Sequence, residues 1–207
     1  MLDRVEWKEV STEEKGRIMG YINPVQGKYT LQKNSTQMKK AVLPFYEEAV
    51  LMEVSDSELP YHITPFWYLL YANRLFELDG SSTPIHEVNE LDPVKVTKEN
   101  AGEYVRFFCF FVHGEEGPFF IIEDSDHPVL DKKKMEYMMI KDIKNKCIPL
   151  EYKGMPGDNT FELTGTVFYG NALFSALFTV TSNGMIDMTD DEPLKADIPA
   201  RKIKPNY

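Results

Sequence analysis

Between Thr160 and Thr189 apolar and polar residues alternate with a period of two, a pattern that admits little besides antiparallel strands. Phe161, Leu163, Val167 and Tyr169 share one side of a first run, and Phe174, Ala176, Phe178 and Val180 share one side of a second. Asn183-Gly184 is the preferred two-residue turn, because its positive φ angles match the twist of the strands it joins. Met185 to Met188 open a third run, so residues 160–189 are expected to form an antiparallel meander.

The segment Tyr104 to Glu123 reads YVRFFCFFVHGEEGPFFIIE, two runs of β-branched and aromatic residues around Gly114-Glu-Glu-Gly117. It predicts a hairpin over 105–123. With His113 opposite Pro118, Phe111 faces Phe120, Cys109 faces Ile122 and Glu123 lies diagonal to Arg106. The first arm is apolar on both faces and is expected in the middle of a sheet.

Elsewhere Met38, Ala41, Val42, Phe45, Ala49 and Met52 recur three or four apart, which predicts a helix over 36–52, kinked or restarted at Pro44. Ser11 and Glu14 form a capping box for a short helix that Gly16 and Gly20 limit. Leu59 to Leu78 suggests two strands around a turn at Asn73-Arg74, and 79–84 is a loop by composition. Thr97 caps one or two helical turns to Tyr104. Met135, Met138, Met139 and Ile143 mark an amphipathic helix within 131–146 that ends before Pro149.

These elements indicate an α+β protein: a mainly antiparallel twisted sheet, built from the hairpin and the meander, with helices on one face. No repeat or low-complexity linker divides the chain, so 1–207 is read as a single domain. From about residue 190 the prolines Pro193, Pro199 and Pro205 predict an extended tail that lies along the surface or embraces a partner.

Thirty-three acidic residues against 23 basic ones give a net charge of −10. That sign disfavours nucleic acid and anionic membrane surfaces as partners. Lys132, Lys133, Lys134 and Arg201, Lys202, Lys204 stand beside carboxylates or near the end and read as solvated faces. The longest apolar runs, Phe66 to Ala72 and Phe107 to Val112, fall far short of the ~18 residues a membrane helix needs. The opening residues, with Asp3 and Glu6, do not resemble a secretory leader. Two cysteines without metal-ligand spacing fit buried thiols in a reducing cytoplasm.

No GxGxxG, GxxxxGK[ST], GxSxG, HExxH or CxxC is present, so neither a cofactor nor a resident metal is expected. Cys109 and His113, about 13 Å apart if on one strand, cannot act as a dyad. Glu123-Asp124-Ser125-Asp126-His127 offers cation ligands without calcium-loop spacing, and Asp187, Asp190, Asp191 and Glu192 raise the same question. His86 follows a Ser-Ser-Thr-Pro loop among Glu87, Asn89 and Glu90 and is the first candidate acid or base. Arg106, on a strand expected to be buried, needs a counter-ion, and Glu123 is the nearest by register. The expected function is a noncatalytic module of the cytoplasm that binds a protein, a second copy of itself or a small ligand. The alternative is a small-molecule hydrolase or isomerase in which loop residue His86 moves a proton and Arg106 holds an anion beside Glu123.

Overall fold

A computed structural model describes residues 4–26, 29–60 and 65–201. They form an α+β structure of antiparallel sheets and fall into two compact units, residues 4–93 and 94–201.

The first unit begins with β1 (Trp7–Glu9) and α1 (Thr12–Gln26). The Ser11 hydroxyl accepts the Glu14 N–H at 3.2 Å, as the capping box requires. The helix nevertheless spans 15 residues and continues through both glycines, because Ile18, Met19 and Ile22 bury one of its faces. Then come β2 (Thr36–Val42), β3 (Val50–Asp56), β4 (Phe66–Tyr71), β5 (Arg74–Glu77) and α2 (Thr83–Leu91). The five strands pair antiparallel in chain order. Met38, Val54 and Phe66 stand opposite one another across β2, β3 and β4. With Met52 and Tyr68 they pack against Ile18, Met19 and Ile22. Lys40 joins that helix to the sheet through Glu14 at 2.9 Å.

The helix expected over 36–52 is therefore two strands and their connection. Met38 and Met52 share the α1 face of the sheet, but Val42 is exposed, and Leu43, Phe45, Tyr46 and Ala49 are buried from the connection around Pro44. The three-to-four spacing came from two strands plus a packed loop, and Pro44 keeps that loop from becoming helical. Between β4 and β5 a hairpin turn forms one residue earlier than expected, at Ala72 and Asn73, both with positive φ (45° and 63°), and Arg74 already pairs in β5. Residues 61–64 of that stretch lie outside the described residues.

The second unit opens with α3 (Ala101–Phe111), short β6 (His113–Gly114), β7 (Gly117–Pro118) and β8 (Phe120–Ile121). A 3-10 turn at Lys132–Lys134 leads into α4 (Tyr137–Lys146), followed by β9 (Glu151–Gly157), β10 (Thr160–Tyr169), β11 (Ala172–Thr181) and β12 (Ile186–Lys195). The meander forms as expected: β10 and β11 pair from Thr160↔Thr181 to Tyr169↔Ala172. Gly184 turns at φ +83°, and β12 returns along β11. β8 and β9 share the other side of β10.

The hairpin expected over 105–123 is corrected. Its first arm is α3, and only His113↔Pro118 and Gly114↔Gly117 pair as strands. The expected register holds at His113 and Pro118, but Phe111 and Cys109 lie on a helix and are not paired in a strand ladder. Ala101, Tyr104, Val105, Phe107, Cys109 and Phe111 are all buried, which suits a helix that is apolar nearly all round. Phe110 packs with Phe120, Phe168, Leu173 and Ile143. In α4 only Ile143 is buried, while Met138 is exposed.

Tyr104 has no exposed surface, and its hydroxyl donates to the Gly184 carbonyl at 2.8 Å, tying α3 to the β11–β12 turn. Tyr104→Phe is expected to destabilise the protein by about 1–2 kcal/mol, because the buried carbonyl loses its partner while the ring packing stays. A circular-dichroism melt checks this.

Residues 190–195 of the expected tail belong to β12, and the chain beyond Lys195 docks on its own unit. Ile198 is buried and its N–H bonds the Asn171 carbonyl at 2.9 Å. Asp131 N–H bonds Pro199 O at 2.9 Å and Arg201 N–H bonds Val129 O at 2.8 Å. Lys202, Lys204 and Pro205 lie outside the described residues.

Candidate functional site

Arg106 and Glu123 come together, by a different route from the one their spacing suggests. Arg106 projects from α3, and Glu123 follows β8. One guanidinium nitrogen, Nη2, bonds Glu123 Oε1, and Nη1 bonds Glu103 Oε1, one helical turn away, at 3.2 Å. The arginine side chain is 10% exposed. A Cβ at Gly102 would stand 3.1 Å from Nη1, so glycine there leaves the fork its room. The Nε atom is buried with no hydrogen-bond partner among the described residues. One cation held by two carboxylates carries a net negative charge, so the arrangement suits an ion pair that anchors α3 better than a cradle for an anion.

His86 sits on α2, in the first unit, with its N–H on Ser82 O at 3.1 Å. It is a helix residue, correcting its expected place in a loop. Of the polar groups expected around it, the Asn89 carbonyl accepts the Tyr46 hydroxyl at 2.6 Å, and Glu87 and Glu90 are exposed. Arg106 and Glu123 belong to the second unit.

The thiols are poorly placed for attack. Burial pushes Cys109 up to about 12. Burial, with the Asp124 charge adding, pushes Cys147 up to about 11. Both stay protonated at neutral pH, and the thiolate is the nucleophile. Burial lowers the His113 pKa, against a hydrogen bond with the Phe110 backbone. The distance argument against a Cys109–His113 dyad assumed a strand, so the thiol's burial in α3 replaces it.

The loop 124–127 uses its polar groups locally. Asp124 accepts the Asp126 N–H at 2.5 Å, Asp126 pairs with Lys132, and His127 Nδ1 accepts the Val129 N–H at 3.3 Å. Among the described residues no three His, Cys, Asp or Glu side chains are grouped as a metal site requires.

The feature that sequence reasoning missed is the edge formed by β12. Among the described residues this ten-residue strand pairs with β11 alone, and residues 187–193 are all exposed. Its register with β11 separates two faces. Ile186, Met188, Asp191 and Pro193 stand beside Val180, Phe178, Ala176 and Phe174; of these β11 residues the first three are buried. Asp187, Asp190 and Glu192 stand beside Thr179, Leu177 and Ser175 on the opposite, half-exposed face. No ion pair among the described residues neutralises these acids, and Lys195 at the strand's end bonds Asp142 instead, at 2.7 Å. The acids were legible as a cluster; that they line a free strand emerges only from the strand order. No described helix is long and apolar enough to cross a membrane.

Compared with known proteins, the chain matches no family model, and no curated protein or solved structure is significantly similar to it.

Proposed function

We propose that the chain is a noncatalytic interaction module of the cytoplasm that engages a protein partner through β12. The observation that carries this is a ten-residue edge strand, exposed from residue 187 to 193, whose unused backbone donors and acceptors are a template for another strand. The meander holds that edge on a packed core, so a partner meets a preformed surface and little ordering entropy is lost. The groups a catalyst would use have structural roles: Arg106 holds two carboxylates, and both thiols are protonated.

Deleting residues 190–207 is a poor test, because it removes more than half of β12 and buried Ile198. A photoreactive side chain in place of Thr189, exposed at the middle of the edge, gives up only the long hydrogen bond, 3.4 Å, from its hydroxyl to Leu177 O. Irradiation in cells should cross-link a discrete protein from position 189 and not from Tyr21, an exposed residue on α1. Equal cross-linking from both positions, or none from 189, counts against the module. So does a thermal-shift screen in which one class of metabolite raises Tm by about 5–11 °C, the shift expected of a specific ligand at a hundredfold its Kd.

A further inference from the structure

The strand that docks on β12 has a chemistry set by the register. We infer that its occupant is an extended segment of a partner protein in which basic and apolar residues alternate. The inference rests on β12 being the interaction edge.

A strand added to a sheet continues its two faces with period two; β12 carries an extra residue at Thr189, where its register with β11 shifts, so the alternation runs separately along 186–188 and 190–193. On one face the neighbours are Asp187, Asp190 and Glu192, with half-buried Glu162 two strands further in, opposite Thr179. This row has no cation of its own, and lysine or arginine at alternate occupant positions supplies it. On the other face Ile186 and Met188 extend the buried row Phe161–Val180 and Leu163–Phe178 to the margin of the sheet, where Met188 is 41% exposed. Apolar occupant residues beside Ile186 and Met188 cover it; further along, the same face carries Asp191 beside Ala176. A second copy of this edge is excluded as occupant: carboxylate rows would oppose each other, and like charges directly opposite are destabilising. The same acids that guard the edge against self-pairing thus select an oppositely charged strand.

The probe is a capped ten-residue peptide of alternating lysine and valine, titrated by fluorescence anisotropy in low salt. It should bind the intact protein. Binding should weaken about tenfold in the triple variant Asp187→Asn, Asp190→Asn, Glu192→Gln, an exposed change whose unaltered melt shows that the fold is kept. N-methylation of alternate peptide amides, on the edge that faces β12, should abolish binding, because it removes the backbone donors and leaves the charge. Three results each overturn the inference: a glutamate–valine peptide binding as well, no loss in the triple variant, or no loss on N-methylation on either edge of the peptide. Cross-linking from position 189 that survives the triple variant would sink the basic occupant while leaving the interaction module standing.

Discussion

Asp56→Ala is expected to cost the first unit about 4 kcal/mol, since the donors gathered on one charged acceptor lose it together. Asp56 ends β3, is 3% exposed, and is a hub for the chain before β2. Its Oδ2 accepts the Gln32 N–H at 3.0 Å and the Thr36 hydroxyl at 2.8 Å, and its Oδ1 accepts the Glu58 N–H at 2.9 Å. Asparagine repairs little, because each carboxylate oxygen faces a donor and an amide NH2 must point at one of them; about 2 kcal/mol should still be lost. Both tryptophans, Trp7 and Trp67, lie in this unit, so urea titration followed by their fluorescence reads its stability. A midpoint within error of the parent for Asp56→Ala would contradict the assignment.

The same hub gives an acid dependence. Burial alone raises the Asp56 pKa, but hydrogen bonds from Ser35, Glu58, Gln32 and Thr36 outweigh it and hold the carboxyl below its ordinary 3.8. A group depressed in the folded state stabilises above its unfolded pKa and loses that contribution as pH falls toward the folded one. The urea midpoint should therefore drop as pH falls below about 4, and Asp56→Ala should flatten that drop.

Asp92→Ala is expected to cost about 3 kcal/mol, and its asparagine variant separates it from Asp56. Asp92 is 6% exposed at the C-terminus of α2, where its own N–H bonds Val88 O at 2.8 Å. One oxygen, Oδ2, accepts both Glu48 N–H at 2.9 Å and Ala49 N–H at 2.8 Å, fixing the entry into β3. A single acceptor does both tasks, so the carbonyl oxygen of asparagine can take its place. Asp92→Asn should lose only the charge assistance, about 1 kcal/mol. Equal losses for the asparagine variants at 56 and 92 would contradict this geometry.

Where the chain's pattern was local, it was legible. The meander and the Ser11 cap each depend on residues a few positions apart; the β11–β12 turn falls where Asn183-Gly184 marks it, but of the two only Gly184 has positive φ, so it is not the two-residue turn expected. The errors arose where tertiary burial overrides local preference. The run from Tyr104 to Val112 looks like a strand because Phe and Val favour sheets, yet a short unbroken apolar run suits a fully buried helix as well as a buried strand. Met38 to Met52 mimicked a helix because a packed connection kept apolar residues at helical intervals. Arg106 and Glu123 were paired on a register that does not exist; the pairing survived because a buried guanidinium needs a carboxylate whichever element carries it. The acids of β12 were visible, but an edge is a property of strand order, which no local pattern encodes.

The measurement that tests the central claim most directly is hydrogen exchange on the complex that copurifies with the chain from cells, compared with the free protein. Protection concentrated in residues 186–195 is the predicted result. No copurifying protein, or protection centred on α2 around His86 with none along β12, would contradict it.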